Sequence, residues 1–374
     1  MKKVYFITRT LPENNNGGAI VRRGTIRYLK ENGYQVIIVA PYKETIISKE
    51  RYLIKGLSRW SYLYNTFLFQ LNIRFDYLEN WANNAFDLLK DVVKKEDIVL
   101  ATSGGEMGSL LLGSKLKVLG CQVVLNLHDP VSYTLLEGKF SFNPKFPKKP
   151  RDKYEKKIFE SVDKIITSSQ SYCDWLKNKY PSMQDKFSCH HFGYINRIEY
   201  PQFSLLNNEN INVVYGGAMG KLQGPEILLK VAEIFPHVQF TYVGDVNFEI
   251  PSNLANVVVK SKMDYLSFMD YLKKNADIGF FSLKGYIAKW CVPSKLYEYI
   301  NVGLPILAAI EGDAKEIVNK NEFGIATSYD VNSISDALKK LLKGEYLRKT
   351  KNNVIEHRHE WFMGNTIKEL IEVL

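Results

Sequence analysis

Apolar positions along this chain switch repeatedly between two periods, short continuous runs and a spacing of three to four. Val4 to Thr8 is an apolar run, a polar loop follows, Ile20 to Asn32 has helical spacing, and Val36 to Ala40 is a second run. That succession is the βαβ signature of a parallel sheet. Strands are predicted again at Ile98 to Ala101, Val123 to Leu127 and Lys164 to Thr167, with a helix over Gly108 to Leu119. Arg51 to Lys95 interrupts the rhythm with Trp60, Tyr62, Tyr64, Phe67, Phe69, Phe75, Tyr77 and Trp81, and is predicted as a largely helical insertion. Gly138 to Arg151 lacks apolar periodicity and is predicted as a mobile loop.

A second series opens at Ile211 to Tyr215 and continues with strands at Val238 to Val243, Ile278 to Phe281 and Pro305 to Ala309. Helices are predicted at Pro225 to Ile234, Tyr265 to Lys273, Ser294 to Asn301 and Ile334 to Leu342, alternating with the strands as a doubly wound sheet requires. The pattern predicts an α/β fold of two Rossmann-like domains facing across a cleft, over residues 1–205 and 206–360, with the Asn-rich stretch Leu205 to Asn210 as linker. The amphipathic segment 361–374 has no strand after it and is expected to cross back onto the first domain.

At 374 residues, two domains of ordinary size are the natural division. No window reaches the ~18 apolar residues of a membrane span, and the short apolar start reads as a strand and not a signal peptide, so a cytoplasmic protein is expected. Cys121, Cys173, Cys189 and Cys291 lie far apart, which argues against a zinc site or a disulfide framework. Residues 1 to 200 carry 31 basic against 20 acidic side chains, and residues 201 to 374 carry 19 against 20. The excess in the first half suits either a polyanion or an anionic membrane surface, or a solvated lysine-rich face. Nucleic acid is the least suitable partner, because no recognition helix or RNA-binding aromatic motif accompanies the charge.

Chemistry concentrates where strands give way to helices. Gly17-Gly18 follows the first strand and opens a helix, where backbone can approach a ligand or simply turn. Arg22 and Arg23 follow in the helix's first turns, a place that disfavours cations unless they face an anion. His128-Asp129 ends a strand, so the imidazole is expected at a carboxyl edge, able to donate to a sugar hydroxyl or balance charge. The loop Gly216-Gly217-Ala218-Met219-Gly220-Lys221-Leu222-Gln223-Gly224 combines freed amides with an ammonium, the makings of a diphosphate cradle. In Pro293-Ser294-Lys295-Leu296-Tyr297-Glu298, a helix start carries a cation, with a carboxylate one turn on that can accept two ribose hydroxyls. Gly303-Leu304-Pro305 then turns the chain into a buried strand.

Together with Val243-Gly244-Asp245, these motifs resemble those of the family-4 retaining glycosyltransferases of GT-B architecture. The likeness is closest to the bacterial branch that transfers N-acetylated amino sugars in lipopolysaccharide or capsule assembly, and it spans nearly the whole chain. It implies a sugar nucleotide, UDP-linked, as donor and a glycan or undecaprenyl-diphosphate-linked glycan as acceptor. Glu298 would bind the ribose, Lys221 and Lys295 the diphosphate, and His128 the donor sugar. Gly17, Gly18, Gly217, Gly244, Ser294 and Leu296 would complete the donor site, and Arg22, Arg23 and Asp129 the acceptor side. Two departures stand out: Ala218 and Gln223 replace an arginine and a lysine of the family loop, and Trp290 replaces a second glutamate.

No Asp-x-Asp occurs, so lysines and helix amides are expected to carry the diphosphate charge with no metal and no cofactor beyond the nucleotide sugar. The basic, aromatic first domain suits a peripheral place on the inner face of the cell membrane. Two rivals remain: a non-hydrolysing sugar-nucleotide epimerase of the same architecture, and a degenerate partner subunit that binds nucleotide sugar without transferring it.

Overall fold

A computed structural model describes residues 2–14, 16–56, 58–71, 73, 76–131, 149–198 and 211–374. The chain divides into two compact units, unit 1 of residues 1–191 with 366–374 and unit 2 of residues 192–365. Residues 138–148 of the expected mobile loop, the expected linker at 205–210 and Phe75 lie outside the described residues, and the last residues of that loop, 149–151, are helical.

Unit 1 is built on an eight-stranded sheet. In chain order its elements are β1 (Lys3–Ile7), α1 (Gly17–Glu31), β2 (Gln35–Tyr42), β3 (Ile46–Ile47), β4 (Arg51–Lys55), α2 (Arg59–Gln70), α3 (Glu79–Leu89), β5 (Ile98–Gly104), α4 (Gly108–Leu116), β6 (Gln122–Asp129), α5 (Lys149–Ser161), β7 (Lys164–Thr167), α6 (Gln170–Lys179) and β8 (Phe187–Cys189). Strand order is β3-β4-β2-β1-β5-β6-β7-β8, parallel except where β3 meets β4. The central strands are apolar on both faces, as parallel strands covered by helices must be; Val4 to Ile7 and Val99 to Ala101 are all buried.

The expected insertion needs correction at its start. Arg51–Lys55 is a strand that pairs parallel with β2, Ile38 opposite Arg51 through Tyr42 opposite Lys55. Its Leu53 and Ile54 are buried, so it extends the sheet before the helices begin. Trp81 on α3 is core, 1% exposed.

Unit 2 holds β9 (Asn212–Gly216), α7 (Ile227–Ile234), β10 (Gln239–Val243), β11 (Val257–Lys260), α8 (Tyr265–Asn275), β12 (Ile278–Ser282), α9 (Ser294–Val302), β13 (Ile306–Ala309), α10 (Asp313–Lys320), β14 (Gly324–Thr327), α11 (Val331–Leu341) and α12 (Gly344–His357). Its sheet is wholly parallel, in the order β11-β10-β9-β12-β13-β14. The division falls at 191/192, earlier than the expected 205/206, because Tyr194 already pairs with unit 2. Its amide donates to the Trp361 carbonyl at 3.0 Å and its carbonyl accepts from Met363 at 2.9 Å. The last helix, α13 (Met363–Val373), begins in unit 2, and from Thr366 onward its residues belong to unit 1. There the Gln122 side chain donates to the Val373 carbonyl at 2.8 Å.

Both sheets reverse winding beside their first strand, between β1 and β5 in unit 1 and between β9 and β12 in unit 2. Outside the carboxyl ends at such a switch point, flanking loops diverge and leave a crevice for ligand.

Candidate functional site

In unit 2 the switch point is occupied by glycines. Gly217, just past β9, has φ +100°, and Gly244, just past β10, has φ +141°, both in the region that favours glycine. The Gly217 amide donates to the Val243 carbonyl at 3.0 Å, tying the two loops together. A Cβ on Gly244 would stand 2.8 Å from the Gly217 carbonyl oxygen, and a Cβ on Gly217 would stand 3.2 Å from both Cε and Nζ of Lys295. Glycine at 217 therefore leaves room for the Lys295 ammonium at the mouth of β9.

Lys295 arrives there because α9 is anchored from beneath. The Tyr299 hydroxyl, fully buried, donates to the carbonyl oxygens of Phe280 at 2.9 Å and Val214 at 3.2 Å. Gly279 makes that seat possible, since a Cβ there would come within 2.5 Å of the Tyr299 ring. With Leu296, Tyr299 and Ile300 turned into the core, Lys295 and Glu298 occupy the opposite, half-buried side. The Lys295 ammonium lies 5.1 Å from the centroid of the Tyr215 ring. No ion pair within 4 Å joins Lys295 to Glu298 or to any other described residue. Desolvation lowers the Lys295 pKa and raises that of Glu298, and each charge partly offsets the other's shift. The helix starts after Pro293 without a side-chain cap and without an acidic residue in its first turn. Its first amides at Ser294 and Lys295 thus remain available to an anion.

The other unit 2 candidates divide. Lys221 is exposed on the β9–α7 loop that carries Gly217. Leu296 is fully buried, so its side chain is core and only its backbone belongs to the helix start. Trp290 is 2% exposed, with the Lys289 ammonium 4.9 Å from its ring centroid, so a packed indole fills that place.

In unit 1, Asn16 caps α1 by accepting from the Ala19 amide at 2.9 Å, which places Gly17 and Gly18 at the helix start. A Cβ on Gly18 would lie 2.7 Å from Arg22 Nη1. Arg22, expected to meet a ligand, is 3% exposed and donates to Thr102 Oγ1 at 3.4 Å. Burial lowers its pKa, opposed by the nearby carboxylates of Glu106 and Asp129. Around the Cβ position that Gly104 lacks, Arg22 Nη2, Asp129 Oδ2 and Glu106 Oε2 converge at 3.5, 3.7 and 3.7 Å. Arg23 is exposed and donates to the carbonyls of Pro12 at 3.0 Å and Asn14 at 3.3 Å. It clamps the loop, which accounts for a cation near that helix start without a ligand.

His128 lies near the end of β6, 7% exposed, its carbonyl accepting from Ser168 Oγ at 2.7 Å. Burial above all, then Arg22 and His190, push its pKa well below the usual range. The imidazole is neutral near pH 7, so of its two expected capacities the structure keeps hydrogen bonding and removes the charge.

Sequence reading does not anticipate Arg9, Asp76, Tyr77 and Glu106. Glu106 Oε2 accepts from the Gly104 amide at 3.0 Å and faces Arg9 Nε at 3.8 Å, and Arg9 also donates to the Tyr77 hydroxyl. Asp76, 2% exposed, accepts from the amides of Leu78 at 2.9 Å and Met107 at 3.0 Å, yet desolvation raises its pKa to about 6. One signal was present: Gly104-Gly105-Glu106 repeats, after another strand, the glycine pair that drew attention at Gly17-Gly18.

Residues 15–190 match the family model described as Glycosyltransferase Family 4. No curated protein sequence matches the chain. Among solved structures, it is similar to a glycosyltransferase from Rickettsia africae, with 15% identity over 100% of this chain and 97% of that one and a TM-score of 0.66. It is also similar to Anabaena HepE, crystallised with UDP and glucose, at 14% identity over the whole of both chains and a TM-score of 0.67. A UDP-forming α,α-trehalose-phosphate synthase from Burkholderia xenovorans aligns at 12% identity over 100% of this chain and 98% of its own, with a TM-score of 0.70. The two doubly wound units thus have the GT-B fold, and the match of residues 15–190 to the Glycosyltransferase Family 4 model, beside these neighbours, supports a transferase.

Proposed function

We propose that this glycosyltransferase moves an N-acetylated hexosamine from a UDP-linked donor to a glycan, or a lipid-diphosphate-linked glycan, in assembly of a bacterial surface polysaccharide. The reading rests on one observation: a half-buried lysine with no ion-pair partner among the described residues, an uncapped helix start and two positive-φ glycines meet at the carboxyl ends of β9 and β10. A site that joins a lysine to free helix amides and close-approaching glycines suits a diphosphate. HepE with UDP and the UDP-forming synthase share its fold, which supports uridine as the base.

In this mechanism Lys295, Lys221 and the amides of Ser294 and Lys295 take up charge on the departing diphosphate, so no metal is required. Glu298 accepts the ribose hydroxyls, and Gly17, Gly18, Gly217 and Gly244 admit the donor closely to backbone. The bond from the anomeric carbon to the diphosphate oxygen breaks as the acceptor oxygen bonds that carbon on the same face. The acceptor proton passes to the departing phosphate, and configuration is retained. Neutral His128 hydrogen-bonds the donor sugar, and Asp129, held beside buried Arg22, lies on the acceptor side.

Calorimetric titration with a panel of nucleotide sugars, followed by product analysis with a labelled donor in EDTA, tests this reading. UDP-N-acetylhexosamine is expected to bind and to yield free UDP with label on the acceptor. Label recovered only as an epimerised sugar nucleotide, or absence of binding by any UDP-sugar, overturns it.

A further inference from the structure

Nine of the fifteen exposed large apolar side chains in the described residues fall between Tyr42 and Ile73, and α2 lies at their centre. Its Trp60, Leu63, Tyr64 and Phe67 are 81%, 50%, 61% and 50% exposed. Their spacing of three, four and seven aligns them on one face. A surface helix of a globular domain turns such a stripe inward. Among the α2 residues whose burial is described, Asn65 alone is buried, its amide donating to the Ser61 carbonyl at 2.7 Å, while the apolar stripe faces outward. Tyr62 holds it to the body of unit 1 through an edge contact with Tyr77, ring centroids 5.5 Å apart.

Along the sequence from Tyr42 to Phe75 six basic residues stand against two acidic ones, Glu44 and Glu50. From Arg51 to Phe75 there are four basic residues, Arg51, Lys55, Arg59 and Arg74, and no acidic one. Arg51 pairs with Glu13 from outside the stretch. A second copy meeting the first on α2 would set cations against cations, since a two-fold contact brings the same patch to both sides. An anionic bilayer answers both features, offering headgroups to the cations and the acyl boundary to aromatic and aliphatic side chains. At 12 residues α2 reaches only about 18 Å, and no helix among the described residues is long and apolar enough to cross a membrane.

We propose that α2 docks unit 1 on an anionic lipid surface, lying in the interface plane with Trp60, Leu63, Tyr64 and Phe67 inserted. The proposal rests on the lipid-linked acceptor put forward above and names the element that brings the enzyme to it.

The test is flotation of the full chain with vesicles of phosphatidylcholine alone or with about 30% phosphatidylglycerol, at about 50 and about 500 mM salt. The wild type is expected to float with anionic vesicles at low salt. Binding should fall at least about tenfold on neutral vesicles and in a W60S/L63S/Y64S/F67S variant. That variant changes only exposed side chains and should keep its melting temperature and its UDP affinity. Trp60→Phe keeps the apolar face, and it should still float while losing the blue shift of tryptophan emission that vesicles induce. Undiminished flotation of the serine variant overturns docking, as does a failure of the wild type to float. So does a wild-type dimer in sedimentation that the serine variant abolishes, which would make a second copy the occupant. A wild type that binds UDP but fails to float removes the docking proposal alone, whereas a wild type that floats without binding UDP removes the functional reading alone.

Discussion

Replacing Lys295 by methionine separates the cation from the packing it also provides. The thioether chain can still cover Tyr215, so stability loses mainly the ammonium–ring attraction, worth about 1 kcal/mol at a partly buried site. In catalysis the loss is larger. A preorganised donor aimed at charge that develops in the transition state is worth about 3 kcal/mol, or about a hundredfold in rate. A second effect runs through Glu298, whose pKa burial raises and Lys295 restrains. Without the cation Glu298 holds its proton to higher pH, which weakens acceptance of donor hydroxyls and lifts KM on the acidic side of neutrality. Steady-state assays with labelled UDP-sugar from pH 6 to 9, beside thermal melts, measure both. The expected result is kcat/KM lower by about a hundredfold at pH 8, falling further towards pH 6, with a melting temperature within a few degrees. A kcat/KM within about threefold of wild type, or a loss of activity matched by a collapse in stability, refutes the reasoning.

Gly217→Ala places a side chain at φ +100° and 3.2 Å from the Lys295 ammonium, so unfolding free energy should drop by about 1–2 kcal/mol and UDP affinity about tenfold. Unchanged calorimetric affinity would detach that glycine from the donor site. Asp76 is raised to about 6 in the folded protein, so the native state binds its proton more tightly than the unfolded chain, and this contribution is full below about pH 4 and lost as pH rises through 6. Urea unfolding of wild type and Asp76→Asn should therefore differ by a quantity that changes by about 3 kcal/mol between pH 4 and 7; a constant difference would refute the shift. Imidazole NMR of a histidine-labelled sample should show His128 titrating below the ordinary imidazole range, and a midpoint within or above that range would contradict its buried setting.

Much of the architecture was legible because helices and parallel strands impose local periods. Val4 to Thr8, Ile278 to Phe281 and Ser294 to Asn301 declared themselves by runs and spacings within a few residues. The donor-side candidates were legible for a related reason, since Gly217 and Lys295 sit where a strand ends or a helix begins and such junctions are local events. Short strands were not: β4 hid in an aromatic stretch, and β14, only Gly324–Thr327, carries too few residues to show a period.

What the sequence determined by itself is the succession of elements and the residue types at their junctions, because hydrophobic spacing and glycine's backbone freedom act within a turn or two of chain. Only the tertiary structure decided which junctions meet. Arg9, Glu106 and Asp129 come from three separate stretches, yet they gather around Arg22 because β1, β5 and β6 end at one edge of the same sheet. The charge state of His128, the burial of Arg22 and the outward turn of α2 likewise depend on neighbours distant in sequence. Desolvation is a property of the packed volume around a group, and no spacing along a chain encodes it.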